Sequence, residues 1–276
     1  MEINVRPARL SDLDAIRGIA GSYGNLDSWP SRPDYIDHEL ATGTLNVCEV
    51  EGEVVGFGGL LARGGVAHLG DLFVKRDRLG QGIGTAILDQ TLPAAGCRVT
   101  FAAGDPRAVP LYLRFGMAPA GPLLYLKAPS AAARSLADSG VALRESAPAD
   151  VAALDRIASG RERLQDLAFL AGHAHCFSAV RGTDVIGYGF VRLVHGAAII
   201  GPSGGVTAED SRLVGEALLR WSAERAASIS ISVFSPHALA SALVASGFET
   251  VDVDTYMTTC PEAIDLERYV PSADLG

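Results

Sequence analysis

The chain has 276 residues, with 32 acidic against 23 basic side chains and a formal net charge of −9. That balance excludes the basic field that general nucleic-acid binding needs. The length suits two domains, each able to bury a core. The start, Met1 to Arg6, has no apolar signal core and no run approaches a membrane span, so a cytoplasmic protein without membrane or nucleic-acid partners is expected. Cys48, Cys97, Cys176 and Cys260 lack Cys-x-x-Cys spacing, and they read as reduced, mostly buried thiols.

In chain order the first half reads as a strand, one or two helices, two strands joined by a turn at Gly52, a third strand through Leu69 to Val74, a helix, a strand and a helix. The second half repeats that order with its turn at Gly182. Arg6–Ala20 aligns without gaps on Arg144–Ala158, 138 positions later, and Val54-Val55-Gly56-Phe57-Gly58 recurs as Val185-Ile186-Gly187-Tyr188-Gly189. Pro7 and Pro148 fall near helix starts, and Asp12 and Asp150 supply first-turn carboxylates that suit the helix dipole. The expected fold class is α+β: a mixed, largely antiparallel sheet flanked by helices, built twice. The boundaries are 1–128 for the first domain, 129–140 for an Ala/Ser/Pro-rich linker and 141–276 for the second domain.

The most informative stretch is Arg78-Leu79-Gly80-Gln81-Gly82-Ile83-Gly84-Thr85, placed between the third strand and a helix. Alternating glycines let backbone approach an anion, and first-turn N–H groups aim the positive end of the helix dipole at it. A diphosphate ligand follows. A P-loop would end in Gly-Lys-Ser/Thr, and a dinucleotide fingerprint needs another glycine spacing and a later acid; neither is present. Lys75, Arg76 and Arg78, just ahead of the glycines, would favour a polyanion.

With Asp71-Leu72-Phe73-Val74 before it and Tyr112-Leu113-Arg114-Phe115-Gly116-Met117 after it, this run resembles the acyl-CoA loop of the GNAT superfamily of N-acyltransferases. The resemblance implies a CoA thioester, acetyl-CoA first, with Leu79, Gly80, Gln81, Gly82, Ile83, Gly84 and Thr85 at the pyrophosphate. It places Phe73 and Val74 along the pantetheine. It also carries over Asp105, where the family usually has Asn, and Tyr112, from the match of Asp105-x-x-Ala108-x-x-Leu111-Tyr112-x-x-x-Gly116 to the family pattern. Leu79 stands where the family usually has Arg or Gln, so the cofactor's amide arm would be held differently.

Acyl transfer to an amine needs a base, since an alkylamine of pKa near 10 is neutral only about one part in a thousand at pH 7. Asp71 is the first choice. Regular alternation would put Leu69, Asp71 and Phe73 on one strand face and His68, the second choice, on the other. Tyr112 is the candidate acid for the leaving thiolate, its phenol being protonated at pH 7. No cysteine occupies a motif position, so direct attack on the thioester is expected.

In the second copy, 131 positions later, Gly80–Gly84 falls on Ser211–Gly215, Asp71 on Pro202 and Tyr112 on Leu243. The chemistry is lost there. A degenerate GNAT-like domain with a structural or cleft-walling role is expected. His173 and His175 invite a metal reading, but no third ligand is apparent, and no metal site is expected. Tyr23, Asp27, Trp29 and Tyr35, with His38 and Glu39 nearby, mix aromatics and acids in the region that covers the acceptor in the GNAT family. Such groups suit a cationic amine. The reading is therefore an acetyl-CoA-dependent N-acetyltransferase acting on a small-molecule primary amine, as a monomer or homodimer. A protein-lysine acceptor and a non-catalytic acyl-CoA sensor are the alternatives.

Overall fold

The computed structural model describes residues 2–136 and 138–276, which leaves Met1 and, within the expected linker, Ala137 outside the description. Two compact units form, one from residues 1–100 with Leu275 and the other from residues 101–274 with Gly276.

The first unit contains β1 (Asn4–Pro7), α1 (Leu13–Gly21), α2 (Tyr35–Thr42), β2 (Thr44–Val50), β3 (Glu53–Arg63), β4 (Val66–Val74), α3 (Ile83–Thr91) and the start of β5 (Cys97–Ala102). Its strands lie in the order β1-β2-β3-β4-β5, antiparallel up to β4 and parallel between β4 and β5. Two-residue turns fix the hairpins: Glu51 and Gly52 between β2 and β3, and Gly64 and Gly65 between β3 and β4, all have positive φ, the geometry that matches strand twist. Pro7 closes β1 opposite Asn46, just before the 3-10 turn Leu10–Asp12 that leads into α1.

Glycines in β3 set how closely helices approach. A side chain on Gly56 or Gly58 would meet Ile83 and Ile87 of α3, whereas one on Gly59 would overlap the Glu39 carboxylate of α2. Neighbouring strand residues point to opposite faces, so α3 covers one face and α2 the other. Ile83 and Ile87 seat α3 in a core with Cys48, Val50, Val55 and Val74.

The second unit contains α4 (Ala108–Arg114), β6 (Ala118–Pro129), α5 (Ser130–Arg134), β7 (Ala142–Glu145), α6 (Pro148–Ser159) and α7 (Leu164–Ala171). It continues with β8 (His175–Arg181), β9 (Asp184–Val194), β10 (Ala197–Gly205), α8 (Ala208–Ala223), β11 (Ser228–Phe234), α9 (Ala238–Ala245), β12 (Glu249–Thr258) and β13 (Tyr269–Val270). Strand order is β12-β6-β11-β10-β9-β8-β7, with β13 on β10. The repeat is visible in the bounds: β8, β9 and β10 begin and end 131 positions after β2, β3 and β4. Pro148 is the first residue of α6.

One strand crosses the repeat boundary. β6 closes the first repeat in sequence, yet it pairs with β11 over Leu123–Pro129 and with β12 along its length, both in the second unit. Within the expected linker, residues 130–134 are helical. Ser130 Oγ donates to the Ala226 carbonyl at 2.6 Å, and Arg134 donates to the Ala223 carbonyl at 2.9 Å.

The second unit has a charged interior. Arg163, fully buried, holds Asp155 through two hydrogen bonds of 2.9 and 2.7 Å, and the Tyr188 hydroxyl donates to the same carboxylate at 2.5 Å. Burial pushes the Asp155 carboxyl up, but the Arg163 charge outweighs it and leaves the group below its ordinary range. Cys48 and Cys176 are free and buried, as expected. Cys97 and Cys260 are disulfide-bonded, which corrects the expectation of reduced thiols for those two.

Candidate functional site

After Val74 the chain makes a single 3-10 turn over Arg76–Arg78, runs extended at Leu79 and enters α3 through Gly80 and Gly82, whose φ values are +77° and +83°. Side chains disfavour that region by about 1–2 kcal/mol, which accounts for both glycines. A Cβ built on either meets nothing within 4 Å, so open space lies over the loop. Gly82 is the N-cap of α3 and supplies no side-chain bond, and the first turn has no acid. The first helical bond runs from Ala86 N–H to the Gly82 carbonyl at 3.0 Å. Helix geometry then turns the N–H groups of Ile83, Gly84 and Thr85 off the helix end. Leu79 packs on the core and Ile83 is buried, so the loop is anchored by apolar side chains while its main chain faces outward. An uncapped helix start with no nearby carboxylate in its first turn fits a pyrophosphate.

The basic residues beside the loop are engaged. Lys75 pairs with Glu53; Arg76 donates to the Ser22 carbonyl at 3.1 Å with its guanidinium 4.4 Å from the Tyr23 ring centre; Arg78 stands 3.8 Å from Asp77. A cavity of about 430 Å³ opens between α1 and this junction, lined by Ala15, Gly18, Ile19, Ser22, Lys75, Arg76 and Asp77. Tyr23 donates to the Val74 carbonyl at 2.6 Å and its ring packs at a tilt on Phe73, 5.1 Å between centres, so one acceptor expected along the pantetheine is already in use. Asp27 is exposed, whereas Trp29 and Tyr35 are buried against each other at 5.9 Å.

Beside Asp71 the strand departs from regular pairing. In the β3–β4 ladder Gly59 pairs with Asp71 and Leu60 with Leu69, leaving Gly70 as an extra residue. The bulge puts Asp71 and Leu69 on opposite faces, correcting the expectation that they share one. His68, which pairs with Leu61, joins Asp71 on the face of Gly59. On that face Tyr35, His38 and Glu39 of α2 are buried, and so are His68 and Asp71. The Tyr35 hydroxyl donates to Asp71 Oδ1 at 3.5 Å.

Tyr112 lies on α4 in the second unit and is buried; its hydroxyl belongs to a helix whose neighbours are β6 and β12. Asp105, exposed just before α4, is gripped by Arg107 at 2.9 and 2.5 Å, and that side-chain bond lowers its pKa to about 2.

The second repeat closes what the first leaves open. Ser211–Gly215 is not a loop but part of α8, which begins at Ala208. Thr207 caps that helix by accepting from Asp210 N–H at 3.1 Å, and Glu209 and Asp210 put two carboxylates in the first turn. Ser211, at the position of Gly80, is bonded to His237 Nε2 at 2.9 Å. His237 Nδ1 accepts from Leu239 N–H, so Nε2 carries the proton and donates to Ser211 Oγ. Such a histidine cannot activate the serine. Pro202 and Leu243 occupy the other two positions, in β10 and α9. His175 bonds Glu145 at 3.2 Å and packs on Trp221, and no cluster of metal-ligating side chains is found among the described residues.

Comparison with known proteins agrees with this layout. Residues 13–117 match the acetyltransferase (GNAT) family. The whole chain is a tandem of two GNAT-like folds. It resembles a structure described as a candidate acetyltransferase of Pyrococcus horikoshii, 18% identical with a TM-score of 0.76, over 99% of this chain and 96% of that one. It also resembles a tandem GNAT protein from the clavulanic acid biosynthesis pathway, 15% identical with a TM-score of 0.57, over 93% and 98% of the two chains. A GCN5-related N-acetyltransferase of Sphaerobacter thermophilus is 15% identical with a TM-score of 0.51, over 96% and 98%. No curated protein matches the sequence. No described helix is long and apolar enough to cross a membrane.

Proposed function

We propose that the protein moves an acetyl group from acetyl-CoA to the primary amine of a small molecule by direct attack. Residues 1–128 are the catalytic domain, 129–140 the linker and 141–276 a structural partner without a cofactor of its own. The observation that carries this reading is the uncapped α3 start behind Gly80 and Gly82, set against the capped, acidic start of α8.

When CoA is bound, its thioester supplies the activated acyl group. The N–H groups from Leu79 to Thr85 hold its diphosphate, Phe73 and Val74 flank the pantetheine, and Asp105 stays beside Arg107 near the cofactor arm. Asp71, buried on the face that α2 covers, takes the proton that makes the acceptor nitrogen neutral. Tyr112 gives its proton to the departing thiolate. Acidic and aromatic residues of the 23–35 segment favour a cationic acceptor, with Asp27 at the surface.

Thiol release from acetyl-CoA with a pooled amine library tests the reading. Turnover by the wild type that drops about 10²-fold or more in Tyr112→Phe is expected. Acetylation of peptides alone would select a protein-lysine acceptor, and CoA binding with no turnover across the pool would make the protein a sensor.

A further inference from the structure

A buried aspartate is a useful base only if something lifts it well above pKa 4. The structure assigns that task to Glu39: we propose that it is a positioning residue for Asp71, and that the two carboxyl groups share one proton so that Asp71 works near neutral pH. The inference rests on Asp71 being the proton acceptor.

Gly59 and Asp71 face each other in the antiparallel ladder, where facing Cβ positions are about 5 Å apart. Gly59 has no Cβ, and the Glu39 carboxylate occupies that place. Glu39 therefore stands where the cross-strand neighbour of Asp71 would stand, although it arrives from α2. Glu39 is 0% and Asp71 2% exposed, so water screens neither. Two carboxyl groups this close cannot both ionise cheaply, and the pair titrates in two separated steps. The Gly70 bulge completes the arrangement, since a regular strand would carry Asp71 to the α3 face.

Other titratable and charged groups belong to the elements around the pair within this unit. From α2 come Tyr35, donating to Asp71, and His38, 3.4 Å from Thr42. From β4 comes His68, and from β3 Arg63, whose guanidinium is bonded to Thr42. From α1 comes Arg17, locked to Asp34 and Asp37 at 2.8 and 2.7 Å. Protonation of His38 or His68 would oppose the effect, so both are followed in the same titration. In the reaction the pair takes one proton from the acceptor ammonium, the freed amine forms the new C–N bond, and the C–S bond breaks to release the thiolate, which is protonated in turn.

The test is a carbon-13 carboxyl titration of the unliganded protein, with the pH profile of kcat/KM beside it, for wild type, Glu39→Gln and Gly59→Ala. Wild-type Asp71 is expected to titrate at least about one pH unit above an ordinary aspartate. Glu39→Gln removes the opposing charge, lowers the Asp71 midpoint by about one unit and moves the acid limb of kcat/KM to lower pH by the same amount. Gly59→Ala expels the Glu39 carboxylate and shifts both in the same direction. An Asp71 midpoint unmoved in both variants, with thermal melts showing each folded, overturns the proposal. Full turnover in Asp71→Asn would instead overturn the choice of base, while the carboxyl titration still reports whether the groups are coupled.

Discussion

The starts of α3 and α8 occupy corresponding places in two copies of one fold, and they have opposite chemistry. At α3 two glycines hold the main chain in the left-handed region, no side chain caps the helix and the first turn has no acid. At α8 a threonine caps the end, two carboxylates follow and a Ser211–His237 bond clamps the first turn to the start of α9. The same helix can end in a free socket for an anion or in a sealed joint, depending on the residues at and around its first turn. A position that must stay open for a ligand cannot also contribute packing, so the first copy keeps glycines where the second has gained buried contacts.

The buried ion network gives the largest expected effect. Asp155→Ala leaves Arg163 without its carboxylate and is expected to cost about 3–5 kcal/mol of stability, measured by urea unfolding. CoA affinity of any protein that remains folded should be unchanged, and a loss of affinity would break the division of labour.

Next comes the His237 clamp. Burial lowers its pKa to about 4 from 6.5. The unfolded chain therefore binds this proton at higher pH than the folded one, and stability present above pH 6.5 is lost as pH falls through about 4. The contribution is about 3 kcal/mol. His237→Gln should flatten the stability profile over that window, and an unchanged profile would place the acid sensitivity elsewhere.

Gly82→Val forces a β-branched residue to φ +83° and is expected to weaken CoA binding by about 1–2 kcal/mol, read by calorimetry. Leu213→Val, at the matching position, should leave CoA affinity alone. Equal weakening by both would end the asymmetric assignment. The smallest effect is Thr207→Ala, which removes the α8 cap and should cost about 1 kcal/mol of stability.

Much of this was legible in the sequence. The order of elements and the duplication could be read because strand alternation and turn residues such as Gly52 and Gly182 are local signals. The glycine loop could be read because Gly80 and Gly82 are needed for their backbone angles. The Gly70 bulge could not be, since its residue has no unusual φ and only the pairing with β3 reveals it. The placement of Glu39 was hidden for a related reason: its carboxylate fills the empty Cβ position of Gly59, twenty residues away. Nothing local showed α8 beginning early enough to absorb the whole loop position. The bonded state of Cys97 and Cys260 is likewise set by tertiary placement.

The path of β6 has a practical consequence. A gene fragment ending at residue 128 would carry that strand away from β11 and β12, with hydrogen-bonding edges bare on both sides. Such a fragment should clump on expression, whereas the remainder would miss a rung from the middle of its ladder. Once a duplicated chain has traded a strand across its seam, the copies can diverge in chemistry but can no longer be inherited apart.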